Sequence, residues 1–170
     1  MESQRIVIGQ KVEQFIHTDP DVAWRAWTDG SELVRWFPGV SEVRKTGDGP
    51  LGVGTKVAVK GAAEAEIELL EFDPEHRVFT YRLPTRYAEF QPHRASVQVK
   101  HSLTGTEVDW VLKLDDEGFS FFGIGGKAKR DADLVMTVSL EKLKELLEAE
   151  AYSTPEFETD ERTSRWDDGA

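Results

Sequence analysis

The chain contains no cysteine among its 170 residues. This absence excludes a disulfide scaffold, a cysteine-ligated zinc site, a cysteine nucleophile and a CxxC redox motif. Asparagine is also absent, which excludes N-linked glycosylation. No apolar run approaches the roughly 18 residues that a membrane-spanning helix needs. The sequence therefore predicts a soluble protein without stable membrane insertion.

Positive charge is scarce as well. The 21 Lys and Arg residues are outnumbered by 32 Asp and Glu, which gives a net charge of −11. This charge repels the phosphates of nucleic acids and anionic lipid headgroups, so we predict no nucleic-acid partner. The N-terminus has neither the basic segment nor the apolar core of a secretory signal, and we expect a cytoplasmic protein.

The hydrophobic content is sufficient for one domain. Apolar residues make up 39% of the chain and aromatic residues 10%, and no Pro/Gly/Ser-rich linker interrupts them. We predict a single domain over residues 1–152 and a disordered acidic tail over residues 153–170. Alternatively, Trp166 in that tail is a docking element for a partner or for a second subunit. The sequence therefore leaves open whether the protein forms a homodimer.

Hydrophobic periodicity indicates an α+β fold. A strand over residues 5–16 is followed by two short helices, the first with Pro20 at its opening position, and residues 40–114 alternate as about six strands. An amphipathic helix over about residues 128–151 must lie on the sheet. The alternation predicts these side chains on the inner face: Ala65, Ile67, Leu69, Phe79, Tyr81, Leu83, Val97, Val99, His101, Leu103, Val108, Trp110, Leu112 and Leu114.

Four segments in this order resemble a known family: VEQFIHTDPDVAWRAWTDGSELVRWFPGV, LGVGTKVAV, ELLEFDPEHRVFTYRL and GTEVDWVLKL. The chain over about residues 5–150 resembles the START-like helix-grip (SRPBCC) superfamily, and within it the bacterial polyketide cyclase/dehydrase-like branch. The resemblance implies a curved antiparallel sheet of about seven strands wrapped on a long C-terminal helix.

The same resemblance implies an apolar cavity between the sheet and the C-terminal helix. Members of the superfamily use this cavity for lipids, polyketides, sterols, quinones or plant hormones, and only some members catalyse a reaction. No cofactor is implied. We expect the cavity wall to comprise the inner-face side chains named above together with Trp36, Phe37, Val57, Phe121, Met136 and Leu140.

Three residues are candidates for acid–base chemistry. His101 is predicted to be a titratable group on an otherwise apolar strand face, where an imidazole can act as a general base or simply pack in the core. Tyr81 and Arg94 are the other two candidates. The four histidines share no metal-ligand spacing, so no metal site is predicted.

Two loops could control access to a cavity. The segment LPTRYAEFQPHRAS predicts a long hairpin loop whose His93 and Arg94 resemble, in placement, a His-Arg pair in the ligand gate of the hormone-receptor branch, although the lead gate of that branch is missing. The segment FSFFGIGG, at residues 119–126, is either a mobile apolar lid with glycine hinges or a fixed plug.

These observations support three hypotheses. The first is a protein that binds a hydrophobic small molecule, lipid-like or polyketide-like, in the helix-grip cavity. The second is a cyclase/dehydrase-type enzyme that uses His, Tyr and Arg groups in the same cavity. The third is a module that binds a partner through the acidic tail and the FSFFGIGG segment.

Overall fold

Seven strands form one antiparallel sheet in the computed structural model, which describes residues 7–87, 90, 92–114 and 125–153. Their order across the sheet is β1-β7-β6-β5-β4-β3-β2. Each strand from β2 to β7 therefore lies beside the next strand in sequence, and β1 lies beside β7. The strands are β1 (Val7–Ile16), β2 (Val40–Lys45), β3 (Lys56–Gly61), β4 (Glu64–Asp73), β5 (Val78–Leu83), β6 (His93–Ser102) and β7 (Gly105–Leu114).

Two short helices connect β1 to β2: α1 (Pro20–Thr28) and α2 (Gly30–Leu33). The Asp19 side chain caps α1 by accepting a hydrogen bond of 2.8 Å from the backbone N–H of Asp21, and Pro20 supplies a fixed φ for the first turn. The Asp29 side chain caps α2 in the same way through the N–H of Ser31, at 3.0 Å. The prediction of two short helices at this point is confirmed.

The C-terminal helix α3 (Gly125–Ser153) packs on the inner face of the sheet. Its buried side chains recur at helical spacing and include Met136, Leu140, Leu143 and Leu147. Polar contacts fix its position along β1: Gln10 Nε2 donates to Asp133 Oδ1 at 2.8 Å, and Lys144 Nζ donates to the Phe15 carbonyl at 3.2 Å. This arrangement confirms the helix-grip α+β architecture. No helix in the described part of the chain is long and apolar enough to cross a membrane.

A cluster of aromatic side chains joins the short helices to the sheet. The ring centroid of Trp27 on α1 lies 4.8 Å from that of Trp36 and 5.2 Å from that of Trp110 on β7, both with edge-to-face geometry. Trp36 Nε1 donates to the Ala26 carbonyl at 3.0 Å. The α1–α2 segment is therefore held by large apolar contacts, with the hydrogen-bonding needs of the Trp36 indole met locally.

The last part of β6 extends beyond the start of the neighbouring strand β5. β5 begins at Val78, which is opposite Gln98, so the last residues of β6 have a neighbouring strand on one side only. His101 is consequently exposed, and Leu103 in the following turn is 100% exposed. The predicted inward, apolar setting of His101 is therefore wrong.

Two predicted features lie outside the described residues. One is most of the FSFFGIGG segment, including Phe121, and the other is nearly all of the acidic tail, including Trp166. The predicted lid or plug and the domain boundary at residue 152 accordingly stay predictions.

Candidate functional site

Two adjoining cavities lie between the inner face of the sheet and the α1–α2 segment. We call them the small cavity, of about 100 Å³, and the large cavity, of about 490 Å³. The two cavities lie side by side, because they have lining side chains in common. The side chains that line both are Trp27, Leu33, Val59, Ile67 and Phe79.

The small cavity has a largely aromatic and aliphatic wall. Beyond the side chains it has in common with the large cavity, its described lining comes from β2, β4, β5, β6 and the connections beside them. None of these described lining residues is Lys, Arg, Asp or Glu. They are Phe37, Val40, Ala65, Tyr81, Leu83, Tyr87, Phe90 and His93.

The large cavity extends from the shared side chains towards the β2–β3 hairpin and the α1–α2 connection. Its apolar lining includes Val43, Leu51, Val57, Leu69 and Phe72, and its polar lining comes from Lys45 and residues 28–31. A volume of about 490 Å³ falls within the range of roughly 300–1,000 Å³ that is usual for small-molecule sites.

The connection between β5 and β6 lies against the small cavity. Backbone hydrogen bonds join Tyr87 and Phe90 in both directions, at 2.9 and 2.8 Å. The Tyr87 hydroxyl also donates to the carbonyl of Gly39, which precedes β2, at 3.3 Å. The hairpin loop predicted as a gate therefore contributes directly to the cavity wall, whereas its role in gating stays a prediction.

Tyr81 and His93 form the polar centre of the small cavity. The Tyr81 hydroxyl lies 3.4 Å from His93 Nε2, and the two ring centroids are 5.7 Å apart. His93 is only 3% exposed. The Tyr81 side chain lies inside the protein. It is still partly accessible, because it faces the small cavity. Burial raises the pKa of the Tyr81 hydroxyl above its usual value, and the Trp110 side chain lowers it by a smaller amount. The phenol therefore stays neutral at physiological pH.

Only some of the predicted cavity wall lines these two cavities. Phe37, Ala65, Ile67, Phe79, Tyr81 and Leu83 line the small cavity, and Val57 and Leu69 line the large one. His101 and Leu103 are exposed. The remaining candidates whose side chains the structure describes are buried in the core and line neither cavity: Trp36, Val97, Val99, Val108, Trp110, Leu112, Met136 and Leu140.

The location of the cavities also differs from the expectation. No described residue of α3 lines either cavity, and the wall that faces the sheet comes from α1 and α2. The physical reason is that the leucine and methionine side chains of α3 pack tightly on the sheet. The space that remains open is between α1–α2 and strands β2 to β5.

The three candidate acid–base residues do not converge. Tyr81 lines the small cavity, whereas His101 is exposed at the far end of β6. Arg94 lies opposite Arg82 and Lys113 in the sheet register, and alternation places it on the outer face because its neighbours His93 and Ala95 are buried. The expectation that His101 and Arg94 share a cavity with Tyr81 is therefore wrong. The histidine that meets Tyr81 is His93.

Several lining residues were missed at the level of sequence. His93 could have been found by extending the β6 alternation two residues before Ala95, since it has the same parity as the buried positions. Val59 faces Ala65, which was predicted to lie on the inner face, across the β3–β4 pair and could have been found from the alternation of β3. Trp27 and Leu33 depend on how α1 and α2 pack on the sheet, which no local pattern encodes.

Two groups of acidic and histidine side chains lie close together away from the cavities. Asp73, Glu75 and His76 are exposed in the β4–β5 turn. The other group is on the outer face of the sheet and consists of Glu13, Glu107 and Asp109. In that group Lys100 Nζ lies 2.7 Å from Asp109 Oδ2, so an ammonium group already neutralises the most buried carboxylate.

Comparisons with known proteins agree with this architecture. The family described as polyketide cyclase / dehydrase and lipid transport matches residues 10–148. A search of curated protein sequences found no match. Among solved structures, the protein MLL2253 from Mesorhizobium loti is similar with a TM-score of 0.63 and 20% identity, covering 85% of this chain and 98% of its own.

Two further structures show the same fold. The protein TTHA0849 from Thermus thermophilus has a TM-score of 0.63 at 18% identity, covering 88% of this chain and 99% of its own. Ara h 8.0201 has a TM-score of 0.59 at 13% identity, covering 81% of this chain and 98% of its own. The family match spans most of the chain and the structural matches confirm the START-like fold. The chain therefore belongs to the polyketide cyclase/dehydrase and lipid transport family.

Proposed function

We propose that this protein binds a hydrophobic small molecule in the adjoining small and large cavities. The observation that carries the proposal is the pair of adjoining cavities with a common apolar wall at Trp27, Leu33, Val59, Ile67 and Phe79. Binding of an apolar ligand removes the apolar surface of such a cavity from water, which lowers the free energy of the complex. The family description names polyketide cyclases, dehydrases and lipid transport, which all handle hydrophobic molecules, and this supports the proposal.

Native mass spectrometry of freshly purified protein tests this function. We expect a bound mass of a few hundred daltons that is lost on denaturation. Ala65 lines the small cavity, so Ala65→Phe should fill it and remove the bound mass. Ala58→Phe is the matched control, because Ala58 is half-buried on the opposite face of β3, paired with Glu66. A ligand retained by Ala65→Phe, or lost equally from both variants, would contradict the proposed site.

A second function is favoured by the contact between Tyr81 and His93. A neutral phenol beside a buried imidazole can pass a proton to or from a bound polyketide-like substrate. If this proton transfer drives the loss of water from the substrate, the wild type should release a molecule that is lighter by one water, and Tyr81→Phe should keep the unchanged molecule bound. An identical ligand mass in both proteins would exclude a dehydration.

A further inference from the structure

The side chains around the small cavity differ in how much hydrogen-bonding capacity they have left. The described lining offers polar atoms on Trp27, Tyr81, Tyr87 and His93. The Tyr87 hydroxyl is already bonded to the Gly39 carbonyl. Trp27 Nε1 is a fully buried atom with no hydrogen-bond partner among the described residues. It is packed out of reach of a ligand unless the indole moves.

The Tyr81 hydroxyl is the group best placed to bind a ligand. Its distance of 3.4 Å from His93 Nε2 is long for a hydrogen bond, because the heavy atoms of protein hydrogen bonds usually lie about 2.5–3.2 Å apart. A ligand oxygen in the small cavity can therefore form a shorter hydrogen bond with this hydroxyl, while His93 remains its neighbour. The walls around it are aromatic, including Phe37, Phe79 and Phe90, and aromatic walls favour flat ring compounds.

Polar groups of the large cavity are engaged with their own backbone. Thr28 Oγ1 donates to the Trp24 carbonyl at 2.9 Å, and Asp29 Oδ1 accepts from both the N–H and the hydroxyl of Ser31. Lys45 Nζ donates to the Gly47 carbonyl at 2.7 Å. Lys45 is nevertheless the one Lys or Arg side chain in the described lining of either cavity, so an anionic ligand is expected to bind there rather than in the small cavity.

Resting on the function proposed above, we propose that the ligand is an uncharged ring compound whose hydroxyl or carbonyl oxygen binds at Tyr81 beside His93. None of the described residues that line the small cavity is Lys or Arg, and burying an unpaired charge costs far more than burying a hydrogen-bonded hydroxyl. The small cavity therefore selects neutral oxygen over carboxylate. At about 100 Å³ it is smaller than the roughly 150 Å³ of an apolar cavity that binds benzene, so a ligand with more than one ring also needs space in the adjoining large cavity.

Three naphthalenes with the same ring test this selection by isothermal titration calorimetry at pH 7. The probes are 2-naphthol, which is neutral, 2-naphthoate, which is charged, and 2-methylnaphthalene, which has no hydrogen-bonding group. We expect the wild type to bind 2-naphthol at least about tenfold more tightly than 2-naphthoate. Tyr81→Phe should weaken 2-naphthol by about three- to tenfold, the effect of one hydrogen bond, and leave 2-methylnaphthalene unchanged.

Tyr87→Phe is the matched control, because Tyr87 lines the same cavity but its hydroxyl is bonded to Gly39. It should leave the preference for 2-naphthol intact. The inference is overturned if 2-naphthoate binds more tightly and Lys45→Gln removes that preference, or if Tyr81→Phe weakens 2-naphthol and 2-methylnaphthalene equally. In both cases the binding function survives. If no naphthalene binds to the wild type, the proposed function fails together with the inference.

Discussion

The outer face of the sheet contains two carboxyl groups that repel each other. Asp109 is only 5% exposed, its Oδ2 contacts Lys100 Nζ at 2.7 Å, and its Oδ1 has no hydrogen-bond partner among the described residues. The neighbouring Asp109 carboxylate raises the pKa of Glu107, because it accepts a hydrogen bond from the protonated form and repels the ionised form. We predict that Glu107→Gln stabilises the protein at neutral pH.

The size of this effect follows from one hydrogen bond. The glutamine amide can donate to the Asp109 oxygen that lacks a donor, and a hydrogen bond of this kind contributes about 0.5–1.5 kcal/mol. Because Glu107 is partly solvated, the lower half of that range is expected. For a chain of this length the midpoint temperature should rise by about 1–4 °C.

The predicted effect of Glu107→Gln on stability depends on pH, and this dependence can be tested. Protonated Glu107 donates the same hydrogen bond, so the wild type has this stabilisation in full below pH 4.5, the usual pKa of the group, and loses it as pH rises through the raised pKa. The advantage of Glu107→Gln in urea denaturation should therefore be largest at pH 7 and small near pH 4. Glu66→Gln, an exposed carboxylate on the same outer face, is the control. An equal gain at both pH values, or no gain at pH 7, would refute the reasoning.

Three further predictions concern the turns around the sheet. An added Cβ at Gly61 would lie 1.7 Å from the Gly39 carbonyl oxygen, so Gly61→Ala should lower the free energy of unfolding by about 1–3 kcal/mol in urea denaturation; an unchanged value would contradict this close approach. Arg77 has a φ of 55°, so Arg77→Gly should be more stable than Arg77→Ala by about 1 kcal/mol in the same assay; the reverse order would exclude this strain. Asp73 raises the pKa of His76, so His76 should titrate above 6.5 by NMR, and its interaction with Asp73 should favour folding below that pH. Asp73→Asn should lower the pKa of His76, and an unchanged titration would show that the contact is absent in solution.

The sequence predicts the architecture well because its periodic signals are long. The period-2 alternation of β7 around Trp110 and the helical stripe through Met136 and Leu140 each fix which face is buried. Asp19 and Pro20 fix the start of α1. These are local rules, and the order of the elements then leaves few ways to build one sheet against one long helix.

Such rules predict the site less well, because the site depends on where neighbouring elements end. His101 has the parity of a buried residue but is exposed, because β5 begins opposite Gln98. His93, at the other end of β6, is buried because β5 and β7 both reach it, at Leu83 and Leu114. Alternation predicts the face of a strand, whereas strand length and the packing of α1 and α2 decide what that face meets.

The location of the ligand is the central claim, and methyl NMR tests it most directly. Protein with labelled Ile, Leu and Val methyl groups would be titrated with 2-naphthol. We predict shifts for Leu33, Val59 and Ile67, which line both cavities, and little change for Val97 and Leu140, which are buried between the sheet and α3. Shifts confined to Val97 and Leu140, with none in the shared wall, would contradict the account.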